Sequence, residues 1–189
     1  MRPTVIVFAK APVPGRVKTR LGLDGTAAAW LHDRFVRETI ALCLRLDANV
    51  ELHTDIATAA WNDLGLSAAL QSSGDLGERM LAALARHPHG MVVGSDAPTL
   101  PLTHLARLLR SGADIALGPA EDGGYYAIAC RRTAPDMFRG VEWSSGSELL
   151  QTAAAVDACG LSLELGDVWF DVDTPADLLR LPRRLVRLD

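Results

Sequence analysis

Short, wholly apolar runs alternate with longer amphipathic segments along the chain, and that alternation does most to limit its fold. Residues 4–9 (T-V-I-V-F-A) are β-branched and apolar with no charged break, the pattern of a strand buried on both faces. Residues 91–93 (M-V-V) read as a second such strand, ending abruptly at Gly94-Ser95-Asp96-Ala97-Pro98. Further strands are expected over 50–53, 67–70, 114–117 and 161–165, and one more after the turn beginning at Ala120. Between them lie helical patterns. The longest, 26–46, carries Leu31, Phe35, Ile40, Leu42 and Leu46 at roughly helical spacing. Shorter helices are expected over 57–64, 76–85, 102–109 and 147–158, with Ser145 and Glu148 spaced as a capping box. A last helix opens at Thr174-Pro175-Ala176-Asp177. Strands and helices in this order specify an α/β domain with a mostly parallel sheet. With no repeat, low-complexity tract or linker, residues 1–189 read as a single domain.

Composition narrows the classes of function. Apolar residues at 49% and charged residues at 22% are those of an ordinary globular chain, which excludes disordered and fibrous folds. A formal net charge of −4 gives no footprint for general nucleic-acid or anionic-membrane binding. No apolar run approaches the ~18 residues of a membrane span, and the 4–9 run is too short for a signal peptide and stops at Lys10. Cys43, Cys130 and Cys159 are far apart, odd in number and without a C-x-x-C pair, so they read as small apolar thiols of a reduced compartment. The expectation is a cytoplasmic protein with neither a membrane span nor a nucleic-acid partner. His32, His53, His87, His89 and His104 show no metal-ligand spacing. Without a G-x-S-x-G elbow or a cysteine paired with a base, acyl-enzyme chemistry is not expected. The basic tail, Arg180, Arg183, Arg184 and Arg187, reads as a solvated helix face.

Open α/β sheets bind ligands beyond the carboxyl ends of their strands, so chemistry is sought after Ala9, Val93, Leu117 and Leu165. After the first strand, Lys10, Arg16, Lys18 and Arg20 set four cations among Pro12, Pro14 and Gly15. The two lysines of the chain both fall here, the other 17 basic residues being arginines. Such a loop can wrap a polyphosphate, glycine letting the backbone approach while the cations neutralise oxygens. It is neither a Walker A loop nor a dinucleotide fingerprint, and a solvated basic turn is the alternative.

Asp96, delivered by the 91–93 strand, stands where a carboxylate can hold Mg²⁺ or Mn²⁺ on a diphosphate, or where an aspartate merely caps a turn. Asp171 and Asp173 lie on one side of an extended segment, though they also precede a helix start rich in capping residues. Glu121-Asp122-Gly123-Gly124-Tyr125-Tyr126 reads as a hairpin turn, and its glycines and paired tyrosines also suit a substrate floor. Gln71-Ser72-Ser73-Gly74-Asp75-Leu76-Gly77 reads as a loop entering a helix, or as a set of groups suited to a nucleobase.

These segments together, V-I-V-F-A-K-A-P-V-P-G-R-V-K-T-R-L, Q-S-S-G-D-L-G-E-R-M, G-S-D-A-P-T-L, G-P-A-E-D-G-G-Y-Y, V-E-W-S-S and D-V-D-T-P-A-D-L, resemble a bacterial family of nucleotide-diphospho-sugar transferase-like proteins. It is of glycosyltransferase-A (GT-A) type, and its wider superfamily includes sugar-nucleotide pyrophosphorylases and the molybdenum-cofactor and phospholactate guanylyltransferases. The resemblance implies a three-layer α/β/α sandwich of GT-A type and a transferase. The enzyme would bind a nucleotide or nucleotide-sugar donor with Mg²⁺ or Mn²⁺ and pass the glycosyl group to a small-molecule acceptor. Lys10, Gly15, Arg16, Lys18 and Arg20 would hold nucleotide phosphates, with Gln71, Gly74, Asp75 and Gly77 near the base. Asp96 would hold the metal, helped by Asp171 or Asp173. Lys18 and Arg16 would stabilise leaving-group charge, and Asp122 or Asp173 would serve as base. Gly123, Gly124, Tyr125, Tyr126 and Trp143 would face the acceptor. The pyrophosphorylase pattern has a glycine-richer first loop where this chain has prolines, so nucleotidyl transfer stands second. A nucleotide-binding partner protein without turnover stands third.

Overall fold

Residues 2–186 are described in a computed structural model. Seven strands form one sheet: β1 (Thr4–Ala9), β2 (Asn49–Thr54), β3 (Ser67–Leu70), β4 (Gly90–Gly94), β5 (Ile115–Pro119), β6 (Tyr125–Cys130) and β7 (Leu163–Leu165), in the order β3-β2-β1-β4-β6-β5-β7. All neighbours run parallel except β6, which is antiparallel to both β4 and β5. The chain winds outward from β1 to β3, then returns to β4 on the other side of β1. The switch point lies between β1 and β4, where a crevice opens beyond the strand ends.

Strand alternation explains why both faces need helices. Val5, Val7 and Ala9 of β1 join one apolar cluster, under α1 (Gly25–Cys43) and α3 (Leu102–Arg110). Ile6 and Phe8 join the other, under α2 (Leu76–Leu84) and α4 (Glu148–Ala158). The result is the expected three-layer α/β/α sandwich. A third cluster matters for the site. Leu21 from the β1–α1 loop, Phe35 of α1, and Phe170 and Val172 from the segment after β7 are buried together. It fastens the cation-bearing loop to the chain's last acidic segment.

Three expected elements turn out differently. The 57–64 helix is only a 3-10 turn at Asn62–Leu64, because tertiary contacts pull the segment flat onto α1. Buried Trp61 donates its indole N–H to Asp33 (2.7 Å), and Arg37 donates to the Ala60 carbonyl (2.8 Å). The last helix is a single turn, α5 (Pro175–Leu178), and a second turn, α6 (Arg183–Val186), follows only after Pro182. The box at α4 is half made: the Ser145 N–H donates to Glu148 (2.8 Å), but the N-cap is Ser147 and makes no side-chain cap bond. Of the basic tail, Arg180 is not merely solvated: it stacks on Phe170 at 3.6 Å. Arg187 lies outside the described residues. No helix among the described residues is long and apolar enough to cross a membrane.

Candidate active site

Beyond the ends of β1 and β4, a cleft of about 510 Å³ opens between α2, the β5–β6 turn and the segment leading into α4. Four aspartates line it, from three separate stretches of sequence: Asp96, Asp122, Asp171 and Asp173. Asp96 leaves β4 two residues past its end. Its carbonyl accepts the Val172 N–H (2.8 Å), and this bond brings Asp171 and Asp173 alongside. Asp122 sits in the β5–β6 turn and uses one oxygen to accept the Gly124 N–H (2.9 Å).

Lys18 occupies the centre of the acidic group. Its ammonium reaches Asp96 Oδ1 at 2.6 Å, Asp173 Oδ1 at 2.9 Å and the Val172 carbonyl at 2.7 Å. An ammonium has three N–H donors, so all are used. The side chain is 4% exposed, whereas those of Asp96 and Asp173 are 47% and 44% exposed. Its backbone is left-handed (φ 49°), a conformation that costs a non-glycine residue roughly 1 kcal/mol or more. Sequence reading makes Lys18 a phosphate ligand. The structure instead turns it inward, where it neutralises two carboxylates and ties residues 155 positions apart. Buried charge without such partners would be far costlier than a strained loop.

The electrostatics follow from this crowding. Burial disfavours the charged form of Lys18, but Asp96 and then Asp173 more than offset it, so its pKa is raised. Burial likewise opposes ionisation of Asp96, yet Lys18 overrides it and holds the carboxyl below the ordinary range. Asp171 has no such partner. Burial first, then the charges of Asp96, Asp122 and Asp173, push its pKa up to about 7. The group holds more negative charge than its lysine can balance.

Other candidates fall into two sets. Arg16 turns away from the cleft and pairs with Asp55 (3.2 Å), so the loop's two catalytic candidates are both held by carboxylates. Lys10 and Gly15 are exposed on the same loop, and Arg20 lines the cleft. Gln71 is occupied at both ends of its amide, donating to the His53 carbonyl (3.0 Å) and accepting from Arg79 (3.1 Å). Asp75 caps α2 in a reciprocal box with Glu78, whose carboxylate occupies the space a Gly74 Cβ would need. Gly77 lets α2 approach Phe138 and Trp143, where a Cβ would fall 2.7 and 2.9 Å from them. These four residues therefore build the start of α2; none of them lines the cleft.

On the opposite wall, Gly124, Tyr125 and Trp143 do line the cleft. Gly123 does not, because its left-handed backbone (φ 90°) packs directly on the Gly146 carbonyl. Tyr126 lines the cleft as well, but not with its ring. Its ring covers Gly118, on the α1–α3 side of the sheet. It is 2% exposed, and its hydroxyl donates to the Asp167 carbonyl (2.9 Å). Sequence reading missed Ser144, Ser145 and Glu148, which join the same wall, and Leu76 and Met80 across from them. Ser144 is the other non-glycine residue with positive φ among the described residues (66°), and strain of this kind often marks a functional wall. A second, more open cavity of about 420 Å³ lies by α3 and β7, lined by Arg107, Arg110 and Glu164, and no candidate residue reaches it.

The family described as "Uncharacterized protein conserved in bacteria (DUF2064)" matches residues 32–145, and the chain belongs to it. No curated protein matches the sequence. A crystal structure from Desulfovibrio desulfuricans G20, provisionally assigned as a nucleotide-diphospho-sugar transferase, is 30% identical. The match covers 95% of this chain and 87% of that one, with a TM-score of 0.85. The fold, though little of the sequence, is shared with two enzymes that use CTP. CMP:2-keto-3-deoxy-manno-octonic acid synthetase complexed with CTP is 13% identical over 95% of this chain and 96% of that one (TM-score 0.63). The inositol-1-phosphate CTP transferase of T. maritima is 13% identical over 98% and 94% (TM-score 0.60). The sandwich is thus of nucleotide-diphospho-sugar transferase type.

Proposed function

We propose that this chain is a metal-dependent transferase that binds a nucleotide-diphospho-sugar and transfers its glycosyl group to a small-molecule acceptor. The observation that carries the reading is the convergence of Asp96, Asp122, Asp171 and Asp173 on one cleft at the switch point, with a single buried lysine between two of them. Polyphosphate cannot approach four carboxylates without added positive charge, and a divalent cation bound with the donor supplies it. The residues present fit Mg²⁺ or Mn²⁺. Their donors are all hard oxygens, Asp96 and Asp173 each leave one oxygen outside the lysine's contacts, and the raised Asp171 carboxyl reports an uncompensated negative field. Among the described residues no three His, Cys, Asp or Glu side chains form a metal cage by themselves. Asp96 with Asp173 or Asp171 would therefore hold the ion through one or two carboxylates, leaving its other positions to donor phosphates and water.

The chain's own residues have separable tasks. Lys18 holds Asp96 and Asp173 together and keeps Asp96 ionised. Arg20 and the exposed Lys10 are the loop cations left to meet phosphate oxygens. Asp122 takes the acceptor's hydroxyl proton, since one of its oxygens is fixed by Gly124 and the other is open to the cleft's contents. The resemblance to the D. desulfuricans protein supports a sugar-nucleotide donor. Nucleotidyl transfer is the second reading, favoured by the fold shared with the CTP enzymes. A partner protein that binds nucleotide without turnover comes third.

Thermal shift and calorimetry with nucleotides and nucleotide sugars, with Mg²⁺, Mn²⁺ or EDTA, test the reading. A ligand at 100 times its Kd adds about 2.7 kcal/mol of apparent stability. Binding should require metal and should weaken roughly 100-fold in Asp96→Asn. Release of nucleoside diphosphate from a nucleotide sugar selects glycosyl transfer, and pyrophosphate release from a nucleoside triphosphate selects the second reading. Equal binding in EDTA and in Asp96→Asn would sink the metal-dependent site.

A further inference from the structure

The cleft has two sides of different character. On one side stand Asp96, Asp171, Asp173 and Arg20. On the other, Phe8, Leu76, Met80, Ile128, Tyr125 and Trp143 form an apolar surface, half of it aromatic. Its wall is braced: Trp143 packs on Phe138 with ring centroids 6.0 Å apart, and Gly77 brings α2 against both rings. The Trp143 indole N–H is enclosed and has no partner among the described residues, so the residue offers ring surface and no hydrogen bond. The Tyr125 hydroxyl is claimed by Thr152 (3.4 Å). What is polar along this wall is acidic or hydroxylic: Asp122, Glu148, Ser144 and Ser145.

The positive charges nearby are engaged elsewhere. Arg180 grips Glu121 through two bonds (2.6 and 2.9 Å), Arg16 is on Asp55 and Lys18 is on Asp96 and Asp173. Arg20 is the only Lys or Arg lining the cleft among the described residues, and it belongs to the β1–α1 loop. An acceptor carrying phosphate or carboxylate would meet Asp122 and Glu148 on a wall with no lysine or arginine of its own to neutralise it, which is rejection by like charge.

We propose that the acceptor is an uncharged or cationic molecule with a ring or other apolar face, seated against Trp143 and Tyr125, and that phosphorylated and carboxylated acceptors are excluded. The proposal rests on the transferase reading above, and it names the class of molecule that reading leaves open. It also separates this chain from transferases whose acceptors are phosphate esters, as one of the fold relatives is by its name.

Three probes that share a phenyl ring and differ in charge test this: 2-phenylethanol, 2-phenylethylamine and 3-phenylpropionate. Binding is measured by ligand-observed NMR on the full chain without nucleotide. The alcohol and amine should bind at least about tenfold more tightly than the acid. Asp122→Asn keeps an oxygen for the Gly124 N–H and should cost the amine several-fold more than the alcohol. Trp143→Ala should weaken all three, and Trp143→Phe should restore most of that loss; if the alanine variant does not fold, the phenylalanine variant and the wild-type charge order still decide. Preference for 3-phenylpropionate, equal binding of all three, or no binding of any would overturn the proposal. Nucleotide and metal binding, scored separately, test the donor reading, so the two failures are distinguishable.

Discussion

The two walls of the cleft use their residues in opposite ways. The β1–α1 loop is rich in cations, yet its most central ones are turned onto the protein: Lys18 onto Asp96 and Asp173, Arg16 onto Asp55. The facing wall, from the β5–β6 turn to the start of α4, occupies its backbone in packing and leaves side chains to the cleft. Gly123 lies on Gly146, and Leu149 donates to the Gly123 carbonyl (3.0 Å). The difference teaches that charge density marks a site without naming its ligand. In the loop Lys18 balances two of the acids proposed to hold the metal, and Arg16 balances Asp55. In the facing wall, glycine contacts set the spacing of Tyr125 and Trp143, against which the acceptor is proposed to sit.

The sharpest way to break this comparison is to remove the clamp. Lys18→Met leaves Asp96 and Asp173 facing each other without a counter-charge, and because both are half-exposed and water screens them, the loss should be about 2 kcal/mol, below that of a fully buried pair. Urea unfolding should show that loss, and Arg16→Ala, removing an exposed pair, should cost under about 1 kcal/mol. If Lys18→Met were as stable as wild type and lost only nucleotide affinity, the loop would be a phosphate cradle after all. On the facing wall, Gly123→Ala asks for a left-handed alanine and drives its methyl into the Gly146 carbonyl. A loss of roughly 2–3 kcal/mol is expected, with metal-dependent nucleotide binding retained in the folded fraction. Loss of nucleotide binding in step with stability would mean that the two walls are not separable.

Much of this architecture was legible because local rules and tertiary demand agree. The wholly apolar β1 and β4 could only be central strands, and Asp96 follows directly from where β4 stops. Asp122, in an Asp-Gly turn, and Asp171 and Asp173, on one side of an extended segment, were legible from local pattern, where turn and capping roles read equally well. What was hidden depended on contacts far apart in sequence. No local rule says that Lys18 would find Asp173, or that Trp61 would flatten an expected helix onto Asp33. The direction of the Tyr126 ring was recoverable, since adjacent side chains of a strand face opposite sides and only one of the two rings could enter the cleft. Glu148 carried a weaker signal, an acid at a helix start where capping already explains it.

The smallest expected effect concerns what lies under the loop. His32 is buried beneath Lys10, and a carbonyl can only accept, so Nε2 donates to the Lys10 oxygen at 2.8 Å. In the neutral ring Nδ1 then carries the lone pair, and it is enclosed with no partner among the described residues. Burial, only partly offset by that hydrogen bond, holds the pKa below its ordinary value. A second proton would place charge and an unpaired N–H close to Lys18. The folded state therefore binds fewer protons than the unfolded one as pH falls through the ordinary histidine range, and stability contributed by His32 declines there. Asp171 has the reverse trend: its raised pKa makes folding less favourable as pH climbs from about 4 toward about 7. A wild-type curve alone would mix the two. His32→Gln keeps an N–H for the Lys10 carbonyl and leaves Asp171 in place, so the difference between variant and wild type isolates the imidazole. That difference should move in the variant's favour by on the order of 1 kcal/mol between pH 7.5 and pH 5. Hydrogen exchange at pH 5 should show residues 10–24 of the wild type losing protection before residues 143–146, which have no histidine beneath them. A pH-independent difference would mean that His32 does not titrate against the loop, and that both walls rest on equally inert supports.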